Sequence, residues 1–488
     1  MKKYKLEITV FISGALTMVL ELIASRVLSP YVGSSNLIWT TIIGIMLTSM
    51  SIGYWIGGKI ADKNKENDIN ILSIFLIISA IATSFIPILE VEFIDRLAGI
   101  SVNLVLVSII CATIVFGIPS FLLAAVSPIA VKIKNSNIDN VGTTSGKISA
   151  LSTIGSIVGT FLAGFVLIPN FGVRNIILGC SIILWILSAY LYNKKSKKYY
   201  LLIILELIII IGLSIIGKYL FKIENPEIVK DVDSEYSRIW VEEETNGEEK
   251  YKTLRVDTGL ESNVNIETGE MAAKYLSYYD LFEYYKKDAQ NALMIGGAAY
   301  TYPMHYLNKY PDKKINVVEI DEKMASIAEE EFGLDKDNPN LKLTTQDGRS
   351  FLNYNQEKYD VIFIDAFKGT SAPFELTTYE ALKNAYNNLT ENGLVMTNVI
   401  SALEGKDSEF IKYEYSTYKA VFDDVKVFKV FYGVDDQTIQ NIILIGVKGE
   451  PEINQEKEEE YKELLNTEIK DFTSDKSVIT DDYAPIGD

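Results

Sequence analysis

The sequence N-A-L-M-I-G-G-A-A-Y (Asn291–Tyr300) opens the segment that decides the fold. Three further motifs follow it: V-V-E-I-D (Val317–Asp321), Q-D-G-R (Gln346–Arg349) and Y-D-V-I-F-I-D-A-F (Tyr359–Phe367). Within this segment lie three largely apolar runs of four residues, namely Ala292–Ile295, Ile315–Val318 and Val361–Ile364. Short apolar runs bounded by turn or helix signals are typical of buried parallel strands.

Glycines or a carboxylate come directly after each of these runs: Gly296 and Gly297, then Glu319, then Asp365. In open α/β sheets the carboxyl ends of the strands line the ligand crevice. Glycine lets the backbone approach a ligand closely, and an acidic residue about 20 positions further on accepts hydrogen bonds from ribose hydroxyls. The ordered series therefore predicts a nucleoside site.

Charge divides the chain of 488 residues into two unlike halves. Up to Lys222 there are 18 Lys/Arg and 10 Asp/Glu, and the remainder holds 28 of the total of 46 and 54 of the total of 64. A half with such an acidic excess would repel a nucleic-acid backbone, so we expect no nucleic-acid partner. The same half would tolerate or attract a cationic substrate.

Cysteine and histidine are scarce. Cys111 and Cys180 both lie in apolar segments, and His305 is the sole histidine. A disulfide framework and a thiolate metal site are therefore not expected. Zinc chemistry and a Ser-His triad lack their usual ligand or base, and we predict no metal.

Long apolar runs fill the first 222 residues. The candidate spans are Leu6–Leu28, Leu37–Ile60, Ile69–Leu89, Val102–Ala124, Ile148–Ile168, Asn175–Leu191 and Tyr199–Phe221. Most reach the ~20 residues that a transmembrane helix needs. We therefore predict three regions: residues 1–222, a polytopic membrane bundle of about seven spans; residues 223–290, a linker with a β-hairpin; and residues 291–488, a nucleoside-binding α/β domain. Within the first span, Glu21 and Arg26 are expected to find partners on other helices.

The second half alternates strand and helix patterns. Arg238–Val241 and Thr253–Val256 predict a hairpin around the polar stretch Glu242–Lys250, Ser262–Ile266 a further strand, and Met271–Lys286 a tyrosine-rich helix. Later strands are expected at Leu341–Thr345, Leu394–Asn398, Val425–Phe431 and Ile439–Val447, with helices at about Glu322–Phe332, Thr377–Leu389, Glu409–Val421 and Gln455–Leu465. This alternation predicts a doubly wound sheet with an antiparallel hairpin at one edge, which is the Rossmann-like architecture of S-adenosylmethionine-dependent transferases.

From Tyr236 onwards the chain resembles the spermidine/spermine synthase (aminopropyltransferase) family, and with its helices it resembles the membrane-fused bacterial branch. Besides the motifs above, the resemblance lies in D-S-E-Y-S-R-I-W-V (Asp233–Val241), L-R-V-D-T-G-L-E-S (Leu254–Ser262), P-F-E-L-T-T (Pro373–Thr378), I-T-D-D-Y-A-P (Ile479–Pro485) and the N-terminal S-G-A-L-T-M-V-L-E-L-I-A-S-R.

The resemblance implies a membrane-anchored enzyme that transfers an aminopropyl group from decarboxylated S-adenosylmethionine to an amine such as putrescine. Gly296 and Gly297 would form the nucleoside loop, Glu319 would hold the ribose, and Asp347 would hold the adenine amino group. Asp365 would orient and deprotonate the attacking amine, and Tyr236 would contact the substrate. A lipid bilayer, a small amine and possible homo-oligomers are the expected partners.

Two positions depart from the family pattern. The family's G-G-G-D-G-G loop is here G-G-A-A-Y-T, so Ala299 replaces the aspartate that helps to hold the amine tail of the donor. The family's D-S-x-D is here D-A-F-K, so Lys368 replaces a second amine-binding carboxylate. These departures leave two alternatives open: a methyltransferase that uses S-adenosylmethionine itself, and a transporter or sensor whose soluble half binds a nucleoside or polyamine without chemistry.

The remaining conflict concerns the side of the membrane on which the acidic half lies. The loops Lys59–Lys65, Lys132–Lys147 and Lys194–Lys198 fall on the side of the N-terminal lysines, which the positive-inside rule places in the cytoplasm. Seven crossings would then put the acidic half outside, away from a cofactor that is made in the cytosol. We expect a multi-pass protein of the cell membrane with a cytoplasmic catalytic domain, and an Asn175–Leu191 segment that is re-entrant or in-plane. Export of the domain, or an orientation against its lysines, are the alternatives.

Overall fold

The structure is a computed structural model, and it describes residues 4–33, 36–63, 69–100, 103–134, 141–192, 197–257, 259–367 and 373–485. Two compact units make up the chain, Met1–Ile239 and Trp240–Asp488. The first unit thus extends beyond the predicted bundle at 1–222 and takes in the first residues of the predicted linker region. Each unit is described by itself below.

Helices of the first unit include seven that are long and apolar enough to cross a membrane, by length and composition. They are α1 (Lys5–Val32), α2 (Asn36–Lys63), α3 (Asn70–Gly99), α4 (Leu104–Lys134), α5 (Val141–Asn170), α6 (Val173–Leu191) and α7 (Lys197–Glu224). A strand, β1 (Ile228–Asp233), follows them.

Helix α6 runs the full length of the bundle, antiparallel to α1. At its carboxyl end the carbonyl of Tyr190 accepts a hydrogen bond from Lys5 Nζ at 2.9 Å, at the start of α1. At its amino end Arg174 Nη2 lies 3.2 Å from Glu90 Oε1, and Tyr31 at the end of α1 donates to the same carboxylate at 3.3 Å. A helix of 17 to 19 residues at 1.5 Å per residue is long enough to connect both ends, so α6 is a candidate span. These contacts do not support a re-entrant or in-plane Asn175–Leu191 segment, which stays a prediction.

Close backbone contact between α1 and α5 explains the glycines of α5. A Cβ atom on Gly155 would lie 2.0 Å from the carbonyl oxygen of Phe11, and one on Gly159 would lie 2.2 Å from that of Ala15. Small residues permit such helix contacts in bundles of this kind.

The two charged residues of the predicted first span have different surroundings. Arg26 donates to the backbone carbonyls of Ser234, at 2.9 Å, and Glu235, in the turn after β1. Within the described ranges the Glu21 carboxylate has neither an ion pair nor a hydrogen bond.

A buried ion network lies at the end of the bundle where the chain leaves α7. Arg238 Nη1 contacts Glu90 Oε1 at 2.8 Å and Arg238 Nε contacts Asp231 Oδ1 at 2.9 Å, with only 9% of the Arg238 side chain exposed. The guanidinium groups of Arg174 and Arg238 both lie over the ring of Phe221, at 4.1 Å and 4.4 Å. These contacts fix the exit of α7 and β1 to the amino end of α6.

Antiparallel strands open the second unit, in the order β2 (Arg238–Asn246), β3 (Glu249–Val256) and β4 (Gly259–Asn265). The predicted hairpin is confirmed, but its strands are longer than expected. They extend into the polar stretch Glu242–Lys250 and leave a tight turn at Gly247, whose φ is 68°. Glu-rich stretches of this kind form strands when both faces of the hairpin end are solvated.

A mostly parallel seven-stranded sheet forms the core of the second unit, in the order β10-β11-β9-β8-β5-β6-β7. Its strands are β5 (Asn291–Ile295), β6 (Lys314–Glu319), β7 (Leu341–Thr345), β8 (Tyr359–Ile364), β9 (Leu389–Ser401), β10 (Asp424–Lys429) and β11 (Gln440–Val447). Strands β5 to β9 pair in parallel, whereas β10 and β11 pair antiparallel at one edge. The predicted sheet and its edge hairpin are confirmed.

Helices connect these strands: α8 (Phe282–Tyr285), α9 (Thr301–Lys309), α10 (Glu322–Ile327), α11 (Gly348–Tyr354), α12 (Phe374–Thr377), α13 (Tyr379–Asn388), α14 (Glu409–Val421) and α15 (Lys462–Leu465). The predicted α14 is confirmed to the residue. Two predicted helices are mostly short turns instead. Met271–Lys286 forms a 3₁₀ segment at Lys274–Leu281 before α8, and Gln455–Leu465 forms a 3₁₀ turn at Gln455–Lys457 before α15.

Candidate active site

Strand register brings the motif residues of the sheet together. Ile295 at the end of β5 pairs with Val318 of β6 on one side and with Ile364 of β8 on the other. The residue that follows each of these paired positions therefore lies at the carboxyl end of the sheet, beside its neighbours. These residues are Gly296, Glu319 and Asp365.

Gly296 is a position that only glycine can fill. Its φ is 94°, and a Cβ atom there would lie 2.2 Å from the carbonyl oxygen of Asp365. Its N–H donates to Val318 O at 2.9 Å, and the Asp365 N–H donates to Ile295 O at 2.9 Å. Backbone hydrogen bonds and this close contact thus fix the positions of the glycine loop and the Asp365 loop.

Glu319 is held by the glycine loop itself. Its Oε2 accepts from the N–H groups of Gly297 at 2.8 Å and Ala298 at 3.3 Å, and its Oε1 accepts from Asp321 N–H at 3.0 Å. Burial raises the pKa of Glu319, while these backbone hydrogen bonds work in the opposite direction. Because a carboxylate offers about four lone-pair sites, three donors leave Oε1 with one site for a ligand hydroxyl.

Asp347 begins α11. Its Oδ1 accepts from Ser350 N–H at 2.7 Å, so the side chain is an N-cap, and the residue is exposed. The adjacent Gly348 faces Ile295, because a Cβ atom there would lie 2.5 Å from Ile295 Cγ2. Capping therefore sets the start of α11 against the end of β5.

Two side chains donate hydrogen bonds to the Asp365 carboxylate. Its Oδ2 accepts from the Tyr275 hydroxyl at 3.0 Å, and its Oδ1 accepts from Asn398 Nδ2 at 3.3 Å. Desolvation by burial raises the pKa of Asp365 to about 6, against the hydrogen bonds that lower it. A carboxylate with such a pKa is mostly ionised at neutral pH and remains basic enough to accept a proton.

Neither Tyr275 nor Asn398 was singled out from the sequence. Tyr275 belongs to the tyrosine-rich Met271–Lys286 stretch, where nothing distinguishes it from its neighbours. Asn398 follows the residue that pairs with Ile364, since Thr397 is the partner of Ile364 in β9. Once the strand order is known, the register of β8 with β9 identifies Asn398 as a neighbour of Asp365.

A third carboxylate, Glu414 on α14, was also missed. It is 2% exposed, and its Oε2 has no hydrogen-bond partner among the described residues. It lines a cleft together with Ala366, Phe367, Thr397 and Asn398. Burial raises the pKa of Glu414 well above its usual range, because desolvation disfavours the charged carboxylate.

Three further residues next to the glycine loop, His305, Tyr302 and Tyr300, make contacts within the protein. His305 Nε2 lies 3.0 Å from Asp280 Oδ2, and Lys309 donates to the same oxygen at 2.8 Å. Tyr302 is buried against Tyr279 and Phe363, with ring centroids 5.1 Å and 5.0 Å away. Tyr300, with φ 56°, begins α9 and is buried with its ring at Gly297.

Tyr236 is the predicted substrate contact, and Lys368 is the position where the family has a second amine-binding carboxylate. Tyr236 is in the first unit, its N–H donates to Ser234 Oγ at 3.1 Å, and its side chain is exposed. Its substrate contact remains a prediction. Lys368 lies outside the described residues.

A glycine loop, an acidic residue on the next strand and a carboxylate at the end of β8 define a Rossmann-like transferase domain of the methyltransferase type. The spermine/spermidine synthase domain profile matches residues 281–433. Residues 281–433, within the α/β part, are thus similar to the spermine/spermidine synthase family.

Curated relatives are polyamine aminopropyltransferases. "Probable polyamine aminopropyl transferase" of Bifidobacterium longum is 33% identical over 121 residues, which are 25% of this chain and 26% of that protein. The enzyme of Vibrio vulnificus is 26% identical over 212 residues, covering 40% of this chain and 68% of that protein. "Polyamine aminopropyltransferase 2" of Aquifex aeolicus is 22% identical over 416 residues, covering 80% of this chain and 78% of that protein. The last match is too long to fit within the α/β half alone, and it therefore takes in part of the helical half.

Solved structures with a similar fold include spermidine synthases. A probable spermidine synthase from Corynebacterium glutamicum has a TM-score of 0.44 at 21% identity, covering 53% of this chain and 97% of that one. Spermidine synthase from Thermotoga maritima has a TM-score of 0.38 at 16% identity, covering 52% of this chain and 82% of that one.

Proposed function

We propose that this protein is a membrane-anchored aminopropyltransferase that moves an aminopropyl group from decarboxylated S-adenosylmethionine to an amine. The observation that carries the proposal is Asp365, partly buried at the carboxyl end of β8 beside the glycine loop and held by Tyr275 and Asn398. The match of residues 281–433 to the spermine/spermidine synthase domain supports the same reaction.

Asp365 takes the role of general base. An ammonium has no lone pair, so the acceptor must lose a proton before or during attack, and that proton passes to the Asp365 carboxylate. The amine nitrogen then forms a bond to the aminopropyl carbon while the bond from that carbon to the sulfonium sulfur breaks. The electron pair returns to sulfur, and neutral methylthioadenosine leaves. Holding the nitrogen in line with the carbon–sulfur bond is the main contribution of the protein.

The donor fits the glycine-loop side of the crevice. Gly296 and Gly297 form the turn whose backbone holds Glu319, Glu319 retains an acceptor site for a ribose hydroxyl, and Asp347 retains Oδ2 for the adenine amino group. Ala299 offers no carboxylate to the amine tail of the donor, so we propose that the adenosyl part supplies most of the donor affinity.

The acceptor fits the cleft that Glu414 lines. A buried acid without a partner is costly to ionise alone, and a bound ammonium removes that cost by forming an ion pair. The cleft begins at Ala366 and Phe367, directly after Asp365. We propose that a diamine places one amine at Asp365 and its second ammonium at Glu414.

The seven apolar helices support membrane anchoring. With α6 crossing, as its contacts at both ends of the bundle support, an odd number of crossings separates the N-terminus from the α/β domain. The expectation of a cytoplasmic α/β domain depended on α6 not crossing. By the positive-inside rule the Lys-rich ends lie in the cytoplasm, so we propose that the α/β domain faces the opposite side.

The test is turnover by the purified full-length protein with each donor, carrying label in the transferable group. Transfer of label from decarboxylated S-adenosylmethionine to putrescine, and none from S-adenosylmethionine, is the expected result. Methylated amine would establish the methyltransferase alternative instead. Binding of either donor without any product would support a non-catalytic sensor or transporter and would overturn the proposal.

A further inference from the structure

The tail motif I-T-D-D-Y-A-P is tied to the active-site half of the sheet by hydrogen bonds, the first set of which is made by Asp481. Its Oδ2 accepts from Arg349 Nη2 at 2.6 Å, and its Oδ1 accepts from the Thr378 hydroxyl at 2.7 Å. Its own N–H donates to Glu380 Oε2 at 3.0 Å. One exposed aspartate near the end of the chain therefore joins α11 to the start of α13.

Arg349 extends this contact toward α12. Its Nη1 donates to Glu375 O at 2.9 Å and to Thr378 Oγ1 at 2.8 Å, and 16% of its side chain is exposed. Arg349 is the second residue of α11, directly after the Asp347-Gly348 pair. The guanidinium thus fixes α12 relative to the start of α11.

Helix α12 separates the two halves of the proposed site. On one side, Leu376 Cδ2 lies 3.6 Å from the point that a Cβ atom on Gly348 would occupy. On the other, Leu376 and Thr377 line the cleft that contains Glu414. A shift of this four-residue helix would change the donor side and the acceptor side together.

The same tail also contacts α14, which carries Glu414. The N–H of Ile479 donates to Thr417 Oγ1 at 3.0 Å, and Thr417 lies one turn after Glu414. The carbonyl of Ile479 accepts from Tyr379 N–H at 2.8 Å. Residues 479–481 consequently connect α11, α13 and α14 on one face of the sheet.

We propose that Asp481 is a positioning residue that holds α12 between the donor and acceptor halves of the site. It acts through Arg349 and Thr378 and touches neither substrate. This inference rests on the proposed function for the identity of the two halves, and its evidence is the hydrogen-bond set above.

The test compares Asp481→Asn with Asp482→Asn in the full-length protein. Asp482 is the exposed neighbour, and no hydrogen bond or ion pair of its side chain occurs in the described part of the tail. Asparagine keeps the shape of Asp481 but loses the charge-assisted contacts, which are among the stronger hydrogen bonds. We expect Asp481→Asn to weaken methylthioadenosine binding and to raise the KM for both substrates about tenfold. Asp482→Asn should match the wild type.

Three further readouts separate positioning from mere loss of folded protein. A smaller folded fraction lowers kcat and leaves both KM values and the pH profile unchanged, whereas displacement of α12 raises both KM values. Arg349→Lys keeps the charge but loses the forked contact, and it should act in the same direction. Asp481→Glu, which keeps the carboxylate, should recover part of the loss.

The outcomes of this comparison are distinct. If the wild type fails to bind methylthioadenosine or to turn over amine, the proposed function is wrong. If the wild type is active while Asp481→Asn and Arg349→Lys are folded and retain wild-type KM values, the positioning role is overturned and the proposed function stands.

Discussion

The carbonyl oxygen of Asp365 lies 2.2 Å from the point that a Cβ atom on Gly296 would occupy. Asp365 provides the proposed base, and Gly296 belongs to the proposed nucleoside loop. The Gly296 loop and the Asp365 loop therefore pack directly against each other, because no space remains between them for a larger residue.

Gly296→Ala is expected to abolish nucleoside binding and turnover. The methyl group would displace the Asp365 loop, and a left-handed backbone costs a non-glycine residue a further ~1–2 kcal/mol. Gly433→Ala is a matched control, since its φ of 92° is close to the 94° of Gly296 but nothing lies within 4 Å of its Cβ position. Calorimetric titration with methylthioadenosine measures the difference, and equal effects of the two variants would contradict the steric argument.

Asp365→Asn should lower kcat by ~10²–10⁴ while the affinity for methylthioadenosine changes little. The amide can still accept the Tyr275 hydrogen bond but cannot take the proton of the acceptor ammonium. Single-turnover rates at saturating substrates give the comparison. A variant that keeps most of its kcat would exclude Asp365 as the base.

The pH dependence of kcat/KM should show an acid limb near the pKa of Asp365, which is about 6. The base works only when ionised, so activity falls as the pH drops through that value. The hydrogen bond from Tyr275 lowers this pKa, and Tyr275→Phe should therefore move the limb to higher pH. A limb that stays in place in the variant would show that Tyr275 does not act on the titrating group.

Glu414→Gln is expected to raise the KM for a diamine about tenfold or more and to leave the KM for a monoamine of similar length unchanged. Only the diamine has a second ammonium to pair with the buried acid. Glu409→Gln is a control on the same helix, because Glu409 is exposed and pairs with Lys476 at the surface. Equal losses for monoamine and diamine would indicate a packing effect.

Sidedness can be measured with introduced cysteines, because Cys111 and Cys180 are both buried. Glu248→Cys lies in the exposed turn between β2 and β3, and Lys63→Cys lies at the Lys-rich end of α2. In intact cells a membrane-impermeant maleimide should label Glu248→Cys and should label Lys63→Cys only after permeabilisation. The reverse pattern would place the α/β domain in the cytoplasm, against its lysine distribution.

The sheet could be predicted because three of its strands, β5, β6 and β8, are local apolar runs with a glycine or carboxylate at the carboxyl end. The same local signal identified Gly296, Glu319 and Asp365 as neighbours. Tyr275, Asn398 and Glu414 could not be found this way, because each comes from a different element and is recognisable only once packing brings it to Asp365 or to the cleft.

The other differences have equally physical causes. Helix α6 is the shortest predicted span, and only its contacts at both ends reveal that it runs the length of the bundle. The charged hairpin strands lack the apolar alternation that would have extended them. For Arg26, spacing on a helix indicates which face the side chain occupies but not which distant backbone it meets.

The ion network of Glu90, Asp231 and Arg238 limits how this chain can be divided. Truncation of the chain between Ile239 and Trp240 would divide β2 after its first two residues. Arg238 would then be separated from the rest of that strand. A cut before β1 would instead leave the Glu90 carboxylate, 5% exposed, without Arg238. Removing one partner of a buried ion pair typically costs about 3–5 kcal/mol. The helical half is thus more than a detachable anchor, and a free soluble form of this enzyme would need compensating changes on both sides of the junction.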